Sequence, residues 1–277
     1  AVGANPLYAL TTGQSNVAIG KNAMDAATTA TLNVAIGENA LGAMINDHYS
    51  AAVGYNSFAN FQGGGAAGYN TGLGYKSGEF VSTGDYNTFV GSQCGQGDTS
   101  NKLTGNYNTA VGKDAAFKLI TTAHSNSLFG ALTGDAITTG IANTFIGYGS
   151  GGTTTATNYC VAVGYEAMNA SNVEAGANHT IAIGTNSLNA LTSGARNIGL
   201  GYQSLVALTQ GDDNIAIGYD ALGGLSTTDG SDKNIAIGSY AMNGVSSLAA
   251  SNNVFIGYNS GGGAWTKLGN DSGTSLD

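Results

Sequence analysis

Side chains able to do acid–base, nucleophilic or metal chemistry are few and scattered among these 277 residues. The histidines are His48, His124 and His179, the glutamates Glu38, Glu79, Glu166 and Glu174, and the thiols Cys94 and Cys160. Catalysis or metal ligation needs such groups to converge. Each histidine sits in a different variable segment, which predicts surface side chains. Asp212 and Asp213 are the adjacent acidic pair, and no stretch follows the calcium-loop patterns DxDxDG or GGxGxD. No carboxylate is marked as the acid or base of a glycoside hydrolase. The expectation is therefore no catalytic residue, no metal site and no cofactor, and a chain that is not an enzyme.

Tyrosine is the chemically useful residue that recurs at regular spacing. It follows a glycine directly at Tyr55, Tyr69, Tyr148, Tyr165, Tyr202, Tyr219 and Tyr258, with Tyr75 after a further glycine, Gly74. Two readings stand side by side. Tyr148, Tyr165, Tyr202, Tyr219 and Tyr258 form an aromatic row that stacks on sugar rings, or each ring packs on the tyrosine of the next copy, because a regular repeat stacks whatever it carries.

What positions these rings is an internal repeat. NVAIG occurs at Asn16 to Gly20 and at Asn33 to Gly37, and NIAIG at Asn214 to Gly218 and at Asn234 to Gly238. Variants end on Gly3, Gly54, Gly91, Gly112, Gly130, Gly147, Gly164, Gly184, Gly201 and Gly257, and a degenerate copy, GAAG, is placed at Gly68. Within the word, β-branched residues alternate with Ala or Phe, the pattern of a short strand. Both faces are apolar, as expected of a strand covered on each side.

The glycines Gly20, Gly37, Gly54, Gly91, Gly112, Gly147, Gly164, Gly184, Gly201, Gly218, Gly238 and Gly257 are read as turns that need positive φ or a close approach between coils. Asn at the strand entrance predicts a cap, with stacked Asn bonding along a ladder. Small residues three past the glycine, such as Ala23, Ser57 and Cys94, predict a tight interior corner. Cys160 takes the Asn slot. With strands about 4.8 Å apart, four coils would separate the two cysteines by roughly 19 Å, too far for a disulfide. Both are expected to be buried free thiols.

Composition agrees with a repetitive fold. There are 45 glycines, one proline, 9% charged residues and 42% hydrophobic ones, enough apolar surface to fold. A net charge of −9 leaves no electrostatic footprint for nucleic acid or an anionic membrane surface. No apolar run approaches the roughly 20 residues of a membrane helix.

The NVAIG word followed by a small residue resembles the head repeat of trimeric autotransporter adhesins, the YadA-like left-handed β-roll. NIAIGYDAL, at Asn214 to Leu222, is similar to repeats of phage and virus tail fibres. The resemblance implies an all-β, left-handed parallel β-roll or β-helix solenoid. The repeat gives it about 15 coils of 17–23 residues, one repetitive domain over residues 1–277, begun in mid-repeat as a piece of a longer fibre. It further implies a homotrimer, here joined through the strand face bearing Ala18, Ala35, Phe89, Phe145, Ala182, Ala216, Ala236 and Phe255. The implied role is extracellular: a phage or virus tail-fibre shaft on the virion surface that supports or carries binding of host cell-surface polysaccharide. A bacterial cell-surface adhesin or self-assembled extracellular filament is the alternative, and a fibre-borne depolymerase the enzymatic one. The stretched segments between Gly68 and Gly112 and between Gly164 and Gly184 are where a receptor-contacting loop is expected.

Overall fold

The computed structural model describes residues 1–63, 68–170, 176–225, 231–244 and 250–263. All regular structure in them is β, in two units, Ala1–Ala142 and Asn143–Asp277. The first unit carries β1 (Val17–Ile19), β2 (Val34–Ile36), β3 (Ala51–Val53), β4 (Thr71–Leu73), β5 (Thr88–Val90), β6 (Thr109–Val111) and β7 (Ser127–Phe129). The second carries β8 (Thr144–Ile146), β9 (Val161–Val163), β10 (Ile181–Ile183), β11 (Ile198–Leu200), β12 (Ile215–Ile217), β13 (Ile235–Ile237) and β14 (Val254–Ile256). Within each unit every strand pairs in parallel with the next, word on word: Ala18 faces Ala35, and Ala216 faces Ala236. Each unit is thus a β-solenoid. The first word is also in place, with Val2 bridged to Ile19.

One copy is shifted from its sequence assignment. The strand between β3 and β5 is TGL at Thr71–Leu73, ending on Gly74, and not the GAAG word ending on Gly68, of which residues 65–67 lie outside the described set. The cause is packing: a Cβ on Gly72 would meet Phe58 Cδ2 at 2.7 Å, so the strand lost its usual Ala. The coil from Gly54 to Gly74 is 20 residues and the next is 17, and the longest, Gly91 to Gly112, is 21. No coil reaches 23.

The strand faces are also reversed from expectation. Ala18, Ala35, Phe89, Phe145, Ala182, Ala216 and Ala236 are fully buried inside the coils, and Phe255 is half-buried, so this face cannot join one chain to another. The β-branched flanks point outward instead: Val17 is 44% exposed, Ile19 41% and Ile183 40%. The interior explains the choice. Each coil turns one strand residue inward, and where that residue is Ala18, Ala35 or Ala182 it is opposed four residues past the glycine by Met24, Leu41 or Leu188, all fully buried.

Three columns of backbone stabilise the stack. The asparagine ladder forms as the repeat predicted: Asn33 N–H donates to Asn16 Oδ1 at 3.0 Å, Asn108 N–H to Asn87 Oδ1 at 2.9 Å, and Asn234 N–H to Asn214 Oδ1 at 3.1 Å. Ser50 and Cys160 hold their Asn slots, each donating a backbone N–H to the asparagine before, Asn33 and Asn143. The repeat glycines form a second column. Gly37 has φ +134°, and a Cβ on it would sit 2.4 Å from the carbonyl oxygen of Gly54. The third column was not foreseen: residues such as Met24 (φ 51°), Leu41 (φ 50°) and Leu188 (φ 52°) are left-handed without being glycine. That conformation is disfavoured by about 1–2 kcal/mol per residue. It is held because each N–H bonds the next coil, Met24 to Ala40 O at 3.0 Å and Leu188 to Ser204 O at 2.9 Å.

Candidate functional site

The left-handed position just before the Asn slot builds a column of surface side chains. In the first unit it holds Ser15, Leu32, Tyr49, Tyr69, Tyr86, Tyr107, Ser125 and Ala142, all with positive φ. The four tyrosines form one ladder, with ring centroids 4.9 Å apart for Tyr49–Tyr69 and 5.0 Å for Tyr69–Tyr86 and Tyr86–Tyr107, all within 13° of parallel. Of these, sequence reading singled out only Tyr69, and in the wrong column. The signal was present: Tyr49, Tyr69, Tyr86 and Tyr107 each stand two residues before a strand, but β4 had to be placed first.

The tyrosines that follow repeat glycines line a separate column. Tyr55 stacks on Tyr75 at 5.5 Å, which makes Tyr75 the regular member. In the second unit Tyr148 stacks on Tyr165 at 5.4 Å and Tyr202 on Tyr219 at 5.5 Å. Tyr240 then meets Tyr219 and Tyr258 edge-on, at 4.9 and 6.2 Å. All these rings are exposed except Tyr240, which is half-buried. Yet in each stacked pair one face of each ring is covered by its neighbour. Such pairs are worth about 0.5–1.5 kcal/mol beyond area, so they stiffen the coil as well as offer edges and hydroxyls to solvent.

The other reactive residues stay apart. His48 Nδ1 accepts the Thr31 N–H at 2.9 Å, His179 stacks on Tyr159 at 5.1 Å, and His124 Nδ1 lies 3.2 Å from Ser125 Oγ. Glu79 is buried in a structural network, with Lys76 Nζ at 3.3 Å, Asn56 Nδ2 at 2.8 Å and Gln96 Nε2 at 2.6 Å. Glu38 pairs with Lys21 at 3.0 Å on the surface, and Glu174 lies outside the described residues. Arg196 grips Asp213 through Nε at 2.6 Å and reaches Asp212 at 3.4 Å, and it holds the Asp213 carboxyl below its usual range. Desolvation, with the Asp47 carboxylate nearby, pushes Asp85 up to about 6. Among the described residues no three His, Cys, Asp or Glu side chains group to hold a metal, and no helix is long and apolar enough to cross a membrane.

Both cysteines are buried free thiols. Burial pushes Cys94 up to about 12 and Cys160 to about 11, and Cys160 Sγ donates to Ala177 O at 3.1 Å.

Among the described residues the surface is indented by clefts, two of which bear on the site. One of about 230 Å³ is lined by Ser193, Gly194, Gln210, Gly211, Asp212 and Asp232. The other, of about 330 Å³, is lined by Thr104, Gly105, Asn106, Tyr107, Thr122 and His124, at the end of the tyrosine ladder. No protein-family model, curated protein or solved structure matches this sequence.

Proposed function

We propose that the chain is a structural and adhesive fibre element, the shaft of a phage or virus tail fibre displayed outside the cell, whose copies associate as a homotrimer and which supports or carries attachment to host-surface polysaccharide. The reading assigns it no catalysis. The observation that carries it is the row of exposed branched aliphatic residues on each solenoid, Val17, Ile19 and Leu73 in one unit and Ile146, Ile183, Ile217 and Ile237 in the other, each 36–50% exposed. A contiguous apolar sheet face is unusual on a monomer and points to association, and a rigid, repetitive stack suits a mechanical role.

Sedimentation equilibrium tests the association: the expected mass is three times that of the chain. Ile183→Lys places a charge on the outward face and is expected to yield monomers, whereas Ser239→Lys, off the sheet face, leaves the trimer intact. A wild-type chain that stays monomeric at micromolar concentration would overturn the trimer.

A further inference from the structure

We infer that the cleft at the end of the tyrosine ladder is a subsite for one neutral sugar ring, stacked on the outer face of Tyr107. In a column of parallel rings each inner ring spends both faces on its neighbours. Tyr69 lies between Tyr49 and Tyr86, and Tyr86 between Tyr69 and Tyr107. The ladder ends at Tyr107 because the next residue of its column is Ser125, whose backbone N–H continues the coil-to-coil bonding to Asn106 O at 3.0 Å. Among the described residues the one ring against Tyr107 is Tyr86, and Tyr107 is the most exposed ring of the ladder at 59%. One aromatic face is therefore left uncovered, and it borders the 330 Å³ cleft.

The rest of the lining supplies what a sugar needs beside an aromatic face. Asn106 spends Oδ1 on the Asp85 N–H at 2.8 Å, which fixes the amide and leaves Nδ2 as a donor. Thr104 Oγ1 donates to Thr121 O at 3.1 Å and so presents acceptor lone pairs. Thr122 and His124 are exposed on the following coil and can donate or accept. No lining residue is Asp, Glu, Lys or Arg, which selects a neutral ring over a uronate or a sugar with a free, charged amine. The apolar C–H face of a pyranose fits the ring face, and its hydroxyls fit this mixed polar rim. The cleft lies in the longest coil, Gly91 to Gly112, and the one after it.

This deepens the adhesive half of the proposed function and rests on it for where the sugar is met, but the two fail separately, since the trimer is read by mass and the subsite by titration. The test is NMR titration of the full chain with the methyl glycosides of glucose, galactose, mannose and N-acetylglucosamine. At least one is expected to saturate with a millimolar dissociation constant, perturbing Tyr107 and His124 resonances. Tyr107→Phe should retain binding within about threefold, while Tyr107→Ala should weaken it about tenfold or more. Ser125→Tyr is the decisive variant: it extends the ladder by one ring, preserves the fold by its melting curve, and covers the face, so binding should be lost. Failure of every glycoside to saturate would overturn the subsite. So would binding that survives both Tyr107→Ala and Ser125→Tyr.

Discussion

Phe145 fills the space that a side chain on Gly151 would need: an added Cβ would lie 2.3 Å from Phe145 Cδ2. The two positions share one volume, as Phe89 and Gly95 do, where the same Cβ would come within 2.6 Å of the ring. Where the strand residue is Ala, as at Ala162 or Ala182, the partner is Met168 or Leu188, fully buried. The exchange predicts a compensating pair. Gly151→Leu alone should destabilise by about 1–3 kcal/mol through overpacking, and Phe145→Ala alone by about 3–5 kcal/mol through a cavity. Phe145→Ala with Gly151→Leu should return to within about 1.5 kcal/mol of the parent. Additive losses in denaturant melts would refute the shared slot.

Gly218 and Gly257 separate backbone strain from coil contact. Both have positive φ, +133° and +124°, but a Cβ on Gly218 would meet Gly238 C and O at 2.7 Å, whereas none of the described residues comes within 4 Å of one on Gly257. Gly257→Ala should therefore cost about 1–2 kcal/mol, from conformation alone. Gly218→Ala should cost several kcal/mol, because two coils must part in the interior of a one-dimensional stack. Equal melting midpoints would mean that the column does not set coil spacing.

Asn214 is a middle rung of its ladder. Its Nδ2 donates to Asn197 Oδ1 at 3.1 Å and to Ser231 O at 2.7 Å, and its Oδ1 accepts the Asn234 N–H and Nδ2. Asn214→Asp keeps the shape and removes the donors, leaving a buried carboxylate against two oxygens. The expected loss at pH 7 is about 2–4 kcal/mol. Burial raises the folded-state pKa of such a carboxyl above its unfolded value, so the folded state holds the proton longer. Stability of the variant should thus recover as pH falls from 7 toward 4, relative to the parent. A pH-independent difference in melting temperature would contradict the buried rung.

Cys94 and Cys160 should resist thiol reagents in the native state and react together on unfolding. Their raised pKa values, about 12 and about 11, mean that the folded state keeps both protons where the unfolded chain, near 8.5, begins to lose them. This contribution to stability is fully present below pH 8 and is lost as pH rises toward 11. Ellman's reagent at pH 8 should label neither thiol within hours without denaturant. Rapid labelling of either one would contradict its burial.

Much of the architecture was written in the repeat itself. Glycine at a fixed place, β-branched residues at alternate places and Asn before them define a strand, a turn and a ladder whose bonds are local to adjacent coils, so one-dimensional order in sequence becomes one-dimensional order in space. The repeat also read the buried Cys160 as a substitute rung. It did not say which strand face turns inward, because Val-Ala-Ile is apolar at every position and a period-two pattern then has no polar side to mark the outside. Interior volume decided that, through pairs such as Ala35 with Leu41 and Phe145 with Gly151. Gly72 hid β4 for the same reason, its side chain removed for the ring of Phe58 in the coil before. The open face of Tyr107 was beyond sequence reading altogether: it depends on four rings 49 to 107 falling in one column and on Ser125 ending it. That alignment follows from the lengths of the intervening coils, which only the folded stack brings into register.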